Sequence, residues 1–317
     1  MKPTLFFLLM VLLGNAPILY GQEQGEPPLV SLGTNANAEI LESSGLAISS
    51  YVESAIWTLN DSGNSNELFL LATDGKLLGR VQLTGSRNID WEAMSQFKLD
   101  GKSQMLVADV GDNLKKRLAY QIYVLPEPDL SDELTGQPNL KPVKKTLTPV
   151  KLEFSYEDGP KNCEAIGVDV AGKKIWLVEK VYYTSDQKSP PGIYTLPLSL
   201  DAPTQPLVAK RIADFPPRNV TGMAFSPDGK RLIIRNYLNA HLYSRDENES
   251  WQDVVAKTKP TTVVLPIQRQ GEAVCFSKDS NSIILTSELK RQSIWQVDLK
   301  RYLERVQQKP QTPTDKN

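Results

Sequence analysis

The chain is built from short apolar runs separated by turn-forming residues, and the runs recur in a fixed order. Five segments open the recurrences: Ser44-Gly45-Leu46-Ala47-Ile48, Glu92-Ala93-Met94-Ser95-Gln96, Glu164-Ala165-Ile166-Gly167-Val168, Thr221-Gly222-Met223-Ala224-Phe225 and Glu272-Ala273-Val274-Cys275-Phe276. Each runs polar, tiny, apolar, small and then usually apolar. Their starts lie 48, 72, 57 and 51 residues apart. A second apolar run follows each opening and ends on a charged or amide group: Ala55 to Asp61, Met105 to Asp109, Ile175 to Glu179, Leu232 to Asn236, and Ile283 to Glu288. A third run is amphipathic: Leu68 to Leu71, Gln121 to Leu125, Gly192 to Leu196, His241 to Ser244, and Ser293 to Val297. Short runs rich in Val, Ile, Tyr and Trp between turn signals predict strands. Ser226-Pro227-Asp228-Gly229 and Ser277-Lys278-Asp279-Ser280-Asn281 supply the turns between first and second strands.

Three strands per repeat, with room for a fourth, match the blade of a β-propeller. The sequence therefore predicts an all-β, five-bladed propeller over residues 40–300, with six blades as the alternative count and an irregular β-sandwich as the alternative architecture. The tiny residue in each opening suits an innermost strand, where backbones crowd around the axis. Within the segment 22–39, Leu29-Val30-Ser31-Leu32 is placed to close the ring as an outermost strand. The long second spacing implies an insertion, and residues 127–147, rich in Pro, Asp and Lys, read as a surface loop. Residues 301–317 read as a flexible tail.

Composition narrows the chemistry. Thirty-six basic and 37 acidic residues leave a formal charge of −1, so nothing draws the chain globally to nucleic acid or an anionic membrane. One histidine, His241, excludes multi-histidine metal sites, and its third-strand position predicts a half-buried structural residue. Two cysteines, Cys163 and Cys275, fall at different depths of their strands, which argues against a disulfide. No Gly-x-Ser-x-Gly elbow or phosphate-binding Gly-x₄-Gly-Lys-Ser/Thr occurs. Residues 1–21 pair one early lysine with the apolar core Leu5 to Leu13, the pattern of a signal peptide, so the expectation is a secreted or periplasmic monomer.

The positions that open the repeats carry the candidate chemistry. In a propeller Ser44, Glu92, Glu164, Thr221 and Glu272 converge at one mouth of the axis. Three crowded glutamates repel one another and favour either proton uptake or a cation. Carboxylate and hydroxyl oxygens are ligands for Ca²⁺, and the lack of thiolate or imidazole argues against zinc and copper. Magnesium, or neutralisation by arginines such as Arg87, Arg218 or Arg269, are the alternatives.

A five-bladed ring opened by Ser, Glu, Glu, Thr and Glu resembles the axial calcium site of the secreted calcium-activated nucleotidases, the apyrases. That resemblance implies Ca²⁺ held by Ser44, Glu92, Glu164, Thr221 and Glu272, with Thr221 departing from the serine of the pattern. The phrases Trp91-Glu92-Ala93-Met94 and Val107-Ala108-Asp109-Val110-Gly111-Asp112-Asn113 are also similar to exported bacterial propellers of the gluconolactonase-like and phytase-esterase-like groups. No segment matches the nucleotidase substrate-binding regions.

Beside the ring, the second strands end in Asp61, Asp109, Glu179, Arg235 and Glu288, with Lys180 and Asn236 next to them. Asp109, Glu288, Lys180 and Arg235 are candidate catalytic residues for a metal-dependent hydrolase of a phosphoester, lactone or ester. Asp61, Trp91, Asp112, Asn113, Glu179 and Asn236 are candidate ligand-binding residues for a small molecule or polymer. The alternative function is a non-catalytic propeller that binds a protein or polymer partner.

Overall fold

The computed structural model describes residues 28–135 and 141–308; the signal-peptide expectation at residues 1–21 lies outside them. The chain opens with β1 (Leu29–Asn35) and an antiparallel run β2 (Ser43–Ile48), β3 (Ala55–Asn60), β4 (Glu67–Ala72) and β5 (Leu77–Leu83). Next come β6 (Trp91–Leu99), β7 (Lys102–Asp109), β8 (Tyr120–Pro126), the turn-like α1 (Ser131–Leu134), β9 (Val143–Leu147) and β10 (Val150–Tyr156). They are followed by β11 (Cys163–Asp169), β12 (Lys174–Glu179), β13 (Gly192–Pro197) and β14 (Leu207–Asp214). Then come β15 (Val220–Phe225), β16 (Arg231–Asn236), β17 (Asn239–Ser244), α2 (Trp251–Lys257) and β18 (Thr261–Val264). The chain ends with β19 (Gly271–Phe276), β20 (Ser282–Ser287), β21 (Gln292–Asp298) and α3 (Leu299–Gln308).

Hydrogen bonding groups the strands into four sheets. The largest has eight strands, because a three-residue parallel pairing of β10 with β14 joins two antiparallel four-strand runs. The openings found in the sequence are β2, β6, β11, β15 and β19. These strands pack against one another in cyclic order, β19 returning to β2, so the sheets surround a common axis. The architecture is an all-β propeller. β1 pairs antiparallel with β21, so the N-terminal strand completes the sheet of β19–β21 as expected from the sequence.

Alternation explains how the ring is held. The second strand of each run is apolar along its length because both faces are covered. In β12, Ile175 and Leu177 enter the cluster shared with β7 and β8, while Trp176 and Val178 enter the cluster shared with β15 and β16. In β20, Ile283 and Leu285 pack towards β16 and β17, whereas Ile284 packs towards Leu46, Ile56 and Phe69. Fully buried side chains of this size contribute about 1.5–3 kcal/mol each. Continuous apolar runs are therefore strands with a neighbouring sheet on each face.

Two expectations are corrected. The insertion at 127–147 is not simply a surface loop: its last part forms β9, which pairs in parallel with β5 and gives the first sheet a fifth strand. Glu127 at its start is buried and accepts hydrogen bonds from the Trp57 indole, Ser49, Ser103 and the Ser50 amide. The assigned tail begins as helix, since α3 buries Leu299 and Tyr302 and the Tyr302 hydroxyl donates to the Thr262 carbonyl at 2.7 Å. The spacing of Leu299, Tyr302 and Leu303 is helical, and docking on the last sheets supplies the burial that a ten-residue helix lacks alone. Both cysteines are buried and free. His241 sits in β17 with its ring edge against Phe215.

Close approach at the axis makes small residues obligatory. A Cβ at Gly222 falls 2.6 Å from the Glu272 carbonyl oxygen on the neighbouring inner strand. Gly222→Ala is expected to lower unfolding free energy by about 1–3 kcal/mol, measured by urea denaturation. A stability equal to wild type contradicts this packing.

Candidate functional site

The first and second strands of every run pair antiparallel, and each pairing is interrupted at its start. The register shifts between Ser43 and Gly45, Trp91 and Ala93, Cys163 and Ala165, Val220 and Gly222, and Gly271 and Val274. The residue skipped is Ser44, Glu92, Glu164 or Thr221 in the first four, and Glu272 lies in the fifth gap. A bulged residue leaves the ladder and re-aims its side chain. The same local irregularity, repeated five times, sets the polar side chains of the ring at one mouth. All five are at least 95% buried.

Carboxylate oxygens of Glu92, Glu164 and Glu272 lie within 4.8 Å of one another, and those of Asp61, Asp90 and Glu92 form a second such trio. Glu92 belongs to both. Its carboxylate has no hydrogen bond or ion pair among the described residues. Gly111 makes room for the cluster: a Cβ there falls 2.5 Å from both the Asp90 carboxyl and Glu92 Oε1.

One internal cation enters this cluster. Lys180 is 97% buried; its ammonium donates to Glu164 Oε2, donates to the Tyr237 hydroxyl at 2.9 Å and stands 3.9 Å from Glu272. It also lies over the rings of Tyr182 and Tyr237, at 5.3 and 5.0 Å. Burial works against its charge, but Glu164 and Glu272 outweigh that cost and raise its pKa well above the usual lysine value. The alternative pairing with Arg87, Arg218 or Arg269 is not formed among the described residues; Lys180 stands beside Glu164 and Glu272 instead.

Several carboxyls at the mouth are pushed above the ordinary carboxylate range. Burial, reinforced by neighbouring carboxylates, raises Asp61 to about 7 and Glu288 to about 9. Glu164 is raised to about 8, its burial only partly offset by Lys180. Glu92 is raised well above the carboxylate range by burial and by Glu164, and Asp90 is raised by burial against the pull of Arg117. One ammonium does not balance so many carboxylates.

Several residues singled out from the sequence are occupied in holding loops. Asp109 is fully buried, paired with Arg117 at 2.7 Å, and accepts from the amides of Ile89 and Asp90. Arg235 is also fully buried and donates to the Ala273 carbonyl at 3.0 Å, bridging β16 to β19. Neither faces a ligand. Trp91 is fully buried, with its indole N–H on the Arg87 carbonyl, so its assignment to ligand contact is corrected. Asp112 accepts from the Tyr120 hydroxyl and the amides of Lys116 and Arg117, Glu179 pairs with Lys115, and Asn236 caps the turn to β17. Glu288 stays at the mouth, bonded by Ser44 and Gln270, and Asn113 accepts from the Tyr182 hydroxyl at 2.7 Å. Tyr182 and Tyr237, which lie two residues beyond Lys180 and Arg235, complete the mouth; no repeated pattern marks them.

No family model matches the chain, and no curated protein is similar to it in sequence. Among solved structures, the chain is similar to the soluble aldose sugar dehydrogenase of Escherichia coli, with a TM-score of 0.45 and 12% identity over 85% of this chain and 99% of that one. A glucose dehydrogenase matches with a TM-score of 0.45 and 11% identity over 86% and 99% of the two chains. The WD40 domain of Neurospora crassa Pan2 matches with a TM-score of 0.42 and 12% identity over 85% and 95%. Likenesses this distant say nothing about the mouth. The geometry itself defines a β-propeller with a buried, carboxylate-rich axial site that holds one lysine.

The shifted acids set a pH dependence. An unfolded carboxylate releases its proton near 4, whereas Asp61, Glu164 and Glu288 hold theirs to about 7, 8 and 9. Between these limits the native state binds more protons than the unfolded chain, so stability falls as pH rises. In cation-free buffer the Tm is expected to drop between pH 5 and 9 by several degrees, followed by circular dichroism, and less in Glu288→Gln. A Tm rising across that window contradicts the assignment.

Proposed function

We propose that the protein is an exported, five-bladed propeller, its blades completed by β1, that binds a divalent cation in the axial mouth and uses it to seat a small oxygen-rich anion. The single observation that carries this reading is Glu92, a buried carboxylate shared by both acidic trios without a hydrogen bond or ion pair among the described residues. Desolvating a carboxylate without a partner is costly, and a proton or a cation relieves it. The donors are all oxygen, which suits Ca²⁺ in preference to zinc or copper.

The cation set differs from the five-residue ring. Glu164 is committed to Lys180, so the donors that fit best are Glu92, Glu272, Asp61 and Asp90, with the Ser44 and Thr221 hydroxyls on the rim. Thr221 donates to the Gly271 carbonyl and Ser44 to Glu288, which leaves their oxygen lone pairs free to accept. Bound there, Ca²⁺ supplies charge neutralisation and polarises a ligand phosphoryl or carbonyl oxygen. Lys180 takes up Oε2 of Glu164, and Tyr182 and Tyr237 wall the mouth.

Hydrolysis of a phosphoester, lactone or ester is the second reading. Asp61 favours it: a carboxyl titrating near 7 at the open edge of the cluster is poised to exchange a proton. With Asp109 and Arg235 tied into loops and strands, Asp61 and Glu288 remain as the acid–base groups. The protein acts as a monomer, without nucleic acid or membrane.

Calorimetric titration with Ca²⁺ at neutral pH tests the cation site. One equivalent is expected to bind, raise the Tm by several degrees and release protons. Glu92→Gln and Gly111→Ala are each expected to weaken binding at least roughly tenfold, the cost of one charged or displaced ligand. Absence of heat and of a Tm response to Ca²⁺, Mg²⁺ or chelator overturns the reading. Assay of nucleotides, sugar phosphates, phytate, lactones and aryl esters with Ca²⁺ separates the two functions: turnover lost in Asp61→Asn establishes hydrolysis, and its absence leaves ligand capture.

A further inference from the structure

The inner strands have a second end. Beyond Ile48 of β2, Gln96–Lys98 of β6, Val168 of β11 and Phe225 of β15 lies a cavity of about 490 Å³ on the face opposite the carboxylates. That is within the range of small-molecule sites. At the same end of the strands a smaller space of about 20 Å³, lined in part by Met94, Met223 and Cys275, has room for a single water.

The polar walls of this cavity are unequal in what they leave open. Its two acids are satisfied locally: Asp169 accepts from the Gly172 amide at 3.0 Å, and Asp228 accepts from the Ser226 hydroxyl and from the Lys230 amide at 3.0 Å. Its cations retain donors. Arg245, whose side chain is 11% exposed, is held over the Trp251 ring at 4.8 Å with Nε on the Gly229 carbonyl at 2.9 Å. Its Nη1 donates to the Glu249 carbonyl at 3.4 Å and stands 3.9 Å from Asp169, whereas its Nη2 makes no hydrogen bond among the described residues. Lys98 is exposed and has no ion pair among the described residues. Trp251, which also lines the cavity, is 99% buried, and its buried indole N–H lacks a partner among the described residues. Such unspent donors in an otherwise satisfied pocket call for an acceptor. The apolar wall is formed by the partly exposed Ile48, Val170 and Phe225, and Phe225 is itself held edge-on between Trp176 and Trp251.

We propose that this cavity is a binding site for a small amphipathic anion, whose carboxylate or phosphate meets Arg245 and Lys98 while its hydrocarbon or aryl body covers Phe225, Ile48 and Val170. A pre-fixed guanidinium loses little freedom on binding and offers its open Nη2 donors to an oxyanion. The site is independent of the cation site, because it shares no residue with the carboxylate cluster.

Titration of the full-length mature protein with octanoate and with phenyl phosphate, followed by tryptophan fluorescence and calorimetry, tests it. Octanol and phenol serve as uncharged counterparts. One saturable equivalent of at least one anion is expected at up to millimolar concentration, and the stronger of the two identifies the headgroup. Arg245→Met is expected to weaken binding roughly tenfold or more, consistent with loss of a charge-assisted contact. Because Arg245 also packs on Trp251, Lys98→Glu provides an exposed second variant, expected to weaken binding severalfold with an unchanged Tm. Glu92→Gln is expected to bind the anion as wild type does. Failure of both anions to saturate, equal binding of the uncharged counterparts, or indifference to Lys98→Glu in the folded protein overturns the proposal.

Discussion

Everything at the axis follows from the crowding of five inner strands. β2, β6, β11, β15 and β19 approach closely enough that a methyl group at Gly222 collides with the Glu272 carbonyl. Only tiny side chains fit in the next position of each strand, and the bulge at each strand start turns the preceding residue out of the ladder. Steric demand and bulge together fix the polar-tiny pair that marks each repeat. The same geometry that packs the fold therefore makes the mouth polar. What remains free for selection is which polar residue stands there.

In this chain the choice is mostly acidic, and electrostatics then governs the rest of the mouth. Carboxylates within 4.8 Å of one another, at least 95% buried, cannot all ionise without compensation. Lys180 compensates part of the charge from inside the protein, fixed between Glu164 and two tyrosine rings. A tethered ammonium cannot leave, so it divides the ring into a neutralised side at Glu164 and an uncompensated side at Glu92, Asp61 and Asp90. Arg117 does similar work outside the cluster by taking Asp109 out of it. Of the acids on the uncompensated side, Glu92 stands at the join of the two trios and also lacks a hydrogen bond among the described residues.

Strand positions, the closing role of β1 and convergence of the repeat openings were legible because each depends on local sequence pattern: alternation, turn residues and a tiny residue after a polar one. Partnerships across the mouth were not. Asp109 with Arg117 and Glu164 with Lys180 are 8 and 16 residues apart in sequence, and no periodic signal distinguishes a charge that is paired from one facing a ligand. Trp91 lies in the core, away from the mouth, for a related reason. It stands next to Glu92, but the bulge directs neighbouring side chains differently, sending Glu92 to the axis and Trp91 into the core beside Tyr123. No local pattern marks β9, because Val143-Lys144-Lys145-Thr146-Leu147 is a polar edge strand and its parallel partner β5 lies some 60 residues earlier.

The two ends of the inner strands acquire opposite chemistry from the way strands are joined. At their starts, bulges aim side chains inward and concentrate acid where loop backbone is already satisfied by residues such as Asn162 and Asp112. At their ends, tight turns need their own aspartates for backbone amides, as Asp228 and Asp169 show, so those acids are spent locally. The cations nearby, Arg245 and Lys98, consequently keep unspent donors although the lining of that end contains both signs of charge. Net charge is a poor guide to either face, since −1 over the whole chain conceals an acidic excess at one mouth and free basic donors at the other. What each face can bind is decided by which charges the backbone has already used.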